Sequence, residues 1–133
     1  MIKGIVFDYY KVIYIPETQQ IDKEVVSILK KLKKTKIPLL LFTNTSQDYV
    51  ERMNRKTKFL KYFKEKIYCI EYVKPNEKAF GKLINTLNIP PSEILLIDDD
   101  LLNINMATQL GIQTIQYIDP VDLKNNLNKY INL

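Results

Sequence analysis

The chain has 133 residues, 46% of them hydrophobic and 26% charged, with three glycines and six prolines. This composition excludes a fibrous or largely disordered polypeptide, and the length closes one core with little room for another, so a single domain over residues 1–133 is expected. The net charge of +5 raises nucleic acid as a partner, but only two of the 20 basic residues are arginine, Arg52 and Arg55, and the lysine run KKLKKTK at 30–36 flanks Leu32 as a solvated helix face would, so nucleic acid is not favoured.

The first residues, MIKGIVFDYY, lack the long apolar region and small-residue cleavage site of a signal peptide, and no stretch is long enough to span a bilayer. A cytoplasmic protein without membrane association is expected. The single cysteine, Cys69 in KIYCIEY, cannot form an internal disulfide and is expected to be a small buried apolar residue rather than a reactive thiol.

Five short apolar runs alternate with helical patterns, which predicts an α/β domain with a mainly parallel five-stranded sheet. The first run, IKGIVFD (2–8), precedes IDKEVVSILKKL, where Ile21, Val25, Ile28, Leu29 and Leu32 recur at helical spacing. The second, IPLLLFT (37–43), is followed by one or two helices between Ser46 and Phe63. The third, KIYCIE (66–71), leads into NEKAFGKLINTLN, whose Ala79, Phe80, Leu83, Ile84 and Leu87 mark a further amphipathic helix. After the fourth, ILLIDD (94–99), a helix from about Leu101 to Leu110 should stop at Gly111, a residue suited to a left-handed C-terminal position. The fifth, IQTIQY (112–117), precedes DPVD, where Asp119 caps and Pro120 opens a last helix carrying Val121, Leu123, Leu127 and Ile131. Nearly continuous apolarity in the runs fits strands covered on both faces.

Polar residues gather where the runs end. In an open parallel sheet, ligands bind beyond the carboxyl ends of the strands, near the point where strand order reverses. The first run ends in Asp8, the second in Thr43-Asn44, the third is followed by Lys74-Pro75, and the fourth ends in Asp98, Asp99 and Asp100. Adjacent carboxylates beside an apolar strand repel and are costly unless a cation or hydrogen-bond donors compensate them. A helix cap needs only one of the three.

In chain order, the segments GIVFDYYKV, LLLFTNTS, VKPNEKAF and ILLIDDDLLNINMATQLGI resemble the four motifs of the haloacid dehalogenase superfamily, over nearly the whole chain. The fourth is the most specific, with Asp98, Asp99, Asn103, Ala107 and Gly111 in family-like spacing. The resemblance implies a Rossmann-like three-layer α/β/α sandwich and a Mg²⁺-dependent phosphatase. Asp8 would be the nucleophile that attacks phosphorus and forms an aspartyl phosphate. Mg²⁺ would sit between Asp8, the backbone carbonyl of Tyr10 and Asp99, with Asp98 and Asn103 nearby. Thr43, helped by the backbone around Asn44, would hydrogen-bond the phosphoryl oxygens, and Lys74 would stabilise both the transferring group and the crowded carboxylates. Asp100 is left as the helix cap.

Phosphatases of the superfamily usually carry a second aspartate two residues after the nucleophile, as general acid and base, and Tyr10 stands there instead. Losing such a group costs about 10²–10⁴ in rate, and a phenol is a weak substitute at neutral pH, so activity is expected to be weak or restricted to good leaving groups. Lys11 replaces the glycine common at the next position, which implies a changed local backbone. The alternative reading is a catalytically impaired binding or regulatory module. A third is a 2-haloacid dehalogenase-like hydrolase, a branch that tends to have Tyr at this point because a leaving halide needs no proton.

Asp8 to Thr43 spans 35 residues and Thr43 to Lys74 spans 31, too few for an inserted cap domain. An open site is expected, suited to a phosphorylated substrate that brings its own covering surface, such as a phosphoprotein, a nucleic acid or a partner subunit. Tyr9, Tyr10 and Tyr14 are expected either to line that contact or to pack the surrounding loop. Glu17 is the candidate replacement for the missing acid.

Overall fold

The computed structural model describes residues 1–133. Its elements are β1 (Gly4–Phe7), β2 (Tyr14–Ile15), β3 (Gln20–Ile21), α1 (Lys23–Lys33), β4 (Leu39–Thr43), α2 (Gln47–Thr57), β5 (Glu65–Tyr68), α3 (Glu77–Leu87), β6 (Ile94–Asp98), α4 (Leu101–Gln109), β7 (Gln113–Gln116) and α5 (Pro120–Leu127). Five strands form one sheet in the order β5-β4-β1-β6-β7, every neighbouring pair parallel. No helix is long and apolar enough to cross a membrane.

Alternation along each strand sorts the core into two layers. Ile5, Phe7, Leu39, Leu41, Leu95 and Ile97 join the layer that contains Leu29 and Leu32 of α1 and Leu123 and Leu127 of α5. Val6, Leu40, Phe42 and Leu96 point the other way, against Ala79, Phe80 and Leu83 of α3 and Ala107 of α4. The three inner strands are therefore buried on both faces, which is why their sequences read as unbroken apolar runs rather than as alternation. The chain fills the sheet from the centre, going from β1 outward to β4 and β5 and then crossing back to β6 and β7 on the other side. The reversal falls beside β1, so the carboxyl ends of β1, β4 and β6 meet at one rim.

Caps fix the helix starts. Asp100 accepts from the Leu102 N–H and Asp119 from the Asp122 N–H, as expected, and Asp22 and Asn76 do the same for α1 and α3. Gly111 follows α4 at φ +90°, a conformation that a side chain would strain. The stretch from Ser46 to Phe63 resolves into α2 and a 3₁₀ turn at Phe59–Tyr62, separated by left-handed Lys58.

Several expectations are corrected. The ladders are shorter than the apolar runs, because Ile2, Ile37, Cys69 and Ile112 flank them and Ile70 is exposed. Cys69 is half-buried rather than fully buried, and burial pushes its thiol up, away from the reactive thiolate. The last helix ends at Leu127, and Ile131 packs into the core from beyond it. Val121 is exposed, since Leu123 and Leu127 define the inward face and Val121, two residues before Leu123, is turned away by about 200°. The antiparallel pair β2–β3 was not expected; strands of two residues are too short to show a period.

Phe80 packs edge-on against Phe42, with ring centroids 5.2 Å apart, and both are fully buried beneath the rim. Phe80→Ala should lower the unfolding free energy by about 3–5 kcal/mol. Val121→Ala should change it by less than about 0.5 kcal/mol. Urea denaturation followed by circular dichroism measures both.

Candidate active site

Four segments converge at the carboxyl edge of the sheet. Asp8 leaves β1, Thr43 ends β4, Asp98 ends β6, and Lys74 comes from the loop between β5 and α3. All four are buried, a costly arrangement for three charged side chains unless they satisfy one another. The Lys74 Nζ does this by donating to Asp8 Oδ1 at 2.9 Å, Asp98 Oδ2 at 3.0 Å and the Phe42 carbonyl at 2.8 Å. An ammonium has three hydrogens, and each is used.

The carboxylates are held differently. Asp98 accepts from Lys74 and, at 3.1 Å, from the Asn103 Nδ2 on one oxygen, and from the Asp100 N–H at 2.9 Å on the other. It is fully buried and lies behind the cleft wall. Asp99 is half-buried, lines the cleft, and its carboxylate accepts no hydrogen bond from the protein. Asp8 also lines the cleft and has Oδ2 free of protein donors. Burial pushes the Asp8 carboxyl up to about 8; the Lys74 ammonium opposes the rise and the Asp98 carboxylate adds to it. Burial works against the charged Lys74 too, but attraction to Asp8 and Asp98 outweighs it and holds its pKa above the ordinary lysine value.

Carboxylate oxygens of Asp8, Asp98 and Asp99 lie within 4.8 Å of one another. Against three carboxylates the site sets one ammonium, which leaves two negative charges when all are ionised. The Asn103 Oδ1 is buried with no hydrogen-bond partner, a position that costs free energy unless a donor or cation meets it. Hard oxygen donors, a residual charge of two and an orphaned amide oxygen fit a divalent cation of the Mg²⁺ kind, which takes one or two carboxylates and keeps several waters. The Tyr10 carbonyl accepts no hydrogen bond from the protein, and Tyr10 lines the same cleft of about 330 Å³.

The other expected residues also sit on this cleft. Thr43 Oγ1 accepts from the Thr45 N–H at 2.9 Å, which leaves its own hydrogen to donate. Asn44 does something its position in the sequence did not announce. Its Oδ1 accepts from the Lys74 N–H at 2.9 Å and its Nδ2 donates to the Lys74 carbonyl at 3.1 Å, clamping the backbone that carries the ammonium. Lys11 occupies the left-handed region at φ 67°, a backbone that glycine adopts most cheaply, at a cost of about 1–2 kcal/mol for a side-chain-bearing residue. Tyr9 is buried and stacks on Tyr14 and Phe59, whereas Tyr10 is 46% exposed. Glu17 is exposed and does not line the cleft.

A rim of this kind, on a three-layer α/β/α sandwich with no cap between the first and third motifs, defines the haloacid dehalogenase fold class. The profile of the haloacid dehalogenase-like hydrolase family matches residues 1–117, and the chain belongs to that family. D-ribitol-5-phosphate phosphatase of Bacteroides thetaiotaomicron is 31% identical over 65 residues, which are 49% of this chain and 32% of that protein; the match thus spans about a third of the relative. A predicted haloacid dehalogenase-like family hydrolase of Porphyromonas gingivalis superposes with a TM-score of 0.79 at 18% identity, covering 98% of this chain and 100% of the other. An enzyme of the same family from Bacteroides thetaiotaomicron, solved in complex with magnesium and inorganic phosphate, gives 0.73 at 16% identity over 89% of this chain and 95% of the other. At those identities the two structures show a shared fold.

Removing the ammonium should strand two buried carboxylates. Lys74→Met is expected to cost about 3–5 kcal/mol at pH 8 without added metal. With Lys74 gone, nothing opposes the raised pKa of Asp8, so the folded variant binds more protons than its unfolded chain, and stability should recover as pH falls from 8 to 6. Urea unfolding at several pH values reads both effects.

Proposed function

We propose that the chain is a Mg²⁺-dependent phosphohydrolase that works through an aspartyl phosphate on Asp8. The observation that carries this reading is the Lys74 ammonium held between Asp8 and Asp98, with the free oxygens of Asp8 and Asp99 beside it in one cleft. The similarity to D-ribitol-5-phosphate phosphatase and the likeness to a fold solved with magnesium and phosphate support it.

Asp8, Asp99 and the Tyr10 carbonyl would hold the cation, with Asp98 and Asn103 behind them. When bound, Mg²⁺ neutralises the crowded carboxylates and the incoming phosphoryl charge. Asp8 attacks phosphorus; the carboxylate O–P bond forms while the bond to the leaving oxygen breaks and that oxygen keeps the electron pair. Water then attacks phosphorus, the Asp8 O–P bond breaks, phosphate leaves with the water oxygen and the carboxylate is restored. Lys74 fixes the Asp8 carboxylate through Oδ1, and Thr43 donates its free hydrogen to a phosphoryl oxygen. Asn44 is a positioning residue that sets Lys74.

Tyr10 offers no carboxyl to protonate an alkoxide, so the enzyme favours acyl and aryl phosphates, whose leaving groups depart unprotonated. Turnover of acetyl phosphate and phenyl phosphate should need Mg²⁺ and should fall at least about 10³-fold in Asp8→Asn. Hydrolysis that survives both a chelator and this substitution would overturn the reading. Tyr10→Asp should raise turnover of an alkyl phosphate by about 10²-fold or more, measured as phosphate release.

Tyr10 also favours a second reading, a binding or regulatory module that no longer turns over. That reading expects Asp8→Asn to leave the biological role intact. Halide release from a 2-haloacid without added metal would point instead to dehalogenation.

A further inference from the structure

A second cavity, of about 440 Å³, adjoins the catalytic cleft between the loop after β1 and α2. Tyr10 and Thr45 line both, so the two lie side by side with these residues at their common border. Beyond them the walls are Tyr14, Tyr49, Arg52 and Lys56. Tyr49, Arg52 and Lys56 are spaced three and four apart on α2 and share one face of it. From Tyr49 the helix carries that face away from Thr45, and at 1.5 Å per residue Lys56 lies about 10 Å further along. The order is thus phosphoryl site, aromatic rings, then cations.

Tyr14 packs partly on the core, but Tyr10, Tyr49, Arg52 and Lys56 are not there for it. Tyr49 is 63% exposed and Tyr10 46%, and Arg52 and Lys56 are exposed with no ion-pair partner. The Arg52 guanidinium sits 5.3 Å from the Tyr49 ring centroid, and no carboxylate lines the cavity. Tyrosine presents a flat apolar surface at low entropic cost, and unpaired cations beside it favour an anion.

We propose that this cavity is the leaving-group subsite and that the substrate is an aryl phosphate carrying a second negative charge on or next to its ring. The inference rests on the phosphohydrolase reading above. As the Asp8 O–P bond forms and the P–O(aryl) bond breaks, the electron pair goes to the phenolate oxygen, which takes its proton from water. Such a leaving group needs no side-chain acid, so the missing carboxyl at position 10 and the aromatic walls beside it describe one substrate.

Binding is measured by titration calorimetry with Mg²⁺ and two non-hydrolysable probes, 4-(phosphonomethyl)benzoate and methylphosphonate. The wild type should bind the aryl probe about tenfold more tightly. Tyr49→Ala should erase most of that preference, Tyr49→Phe should keep it, and Arg52→Ala should weaken the aryl probe by about threefold. Acetyl phosphate turnover should stay within about twofold of wild type in all three variants, since these exposed residues lie outside the phosphoryl site. Equal affinity for the two probes, or variants that weaken both alike, overturns the subsite. If the aryl preference holds with its Tyr49 dependence while neither acyl phosphate nor phosphate ester is turned over through Asp8, the cavity stands as an aryl-anion binding site, and the phosphohydrolase reading falls together with the leaving-group role. If acetyl phosphate is hydrolysed but the preference is absent, the reverse follows.

Discussion

One ammonium holds the rim together. Lys74 Nζ reaches the strand-end carboxylates of β1 and β6 and a backbone carbonyl of β4, so three parallel strands are tied at their carboxyl ends by a single point charge from a fourth segment. Without it, Asp8 and Asp98 would be two like charges out of water, and protonation or local opening would relieve them. The cost of burying this triad is large and its net stabilisation small. Its value lies in fixing carboxylate oxygens to a narrow set of positions at the rim.

The triad also explains the division of labour among the aspartates. Asp98 is saturated by protein donors and works inside the wall, Asp99 presents an uncommitted carboxylate to the cleft, and Asp100 caps α4. Three identical residues in a row thus meet three surroundings, because a strand that ends at a helix start turns successive side chains from interior to rim to solvent.

Much of this was legible in the sequence, for physical reasons that can be named. Strands covered on both faces produce unbroken apolar runs, and the topology of a parallel sheet places their ends together, so Asp8, Thr43, Lys74 and Asp98 could be gathered at one edge from order alone. Helix stops such as Gly111 and caps such as Asp100 and Asp119 carry local signals. What stayed hidden depends on tertiary contacts or on lengths too short to pattern. The β2–β3 pair is two residues a side, the clamp of Asn44 on Lys74 spans 30 residues, and Lys11 has a left-handed backbone that its side chain gave no reason to expect. The inward face of α5 is narrower than its apolar content suggests, because in an eight-residue helix Val121 cannot share a side with Leu123 and Leu127.

The helix that borders the site is loosely invested in the core. Val50 is the one fully buried residue of α2, with Met53 packed partly on the core, and most of its other positions are exposed. Exposed positions tolerate substitution with little effect on folding. Selection could therefore exchange residues along one helical face at the border of the cleft at little cost to folding, while the charged triad, locked into three strands, stays unchanged.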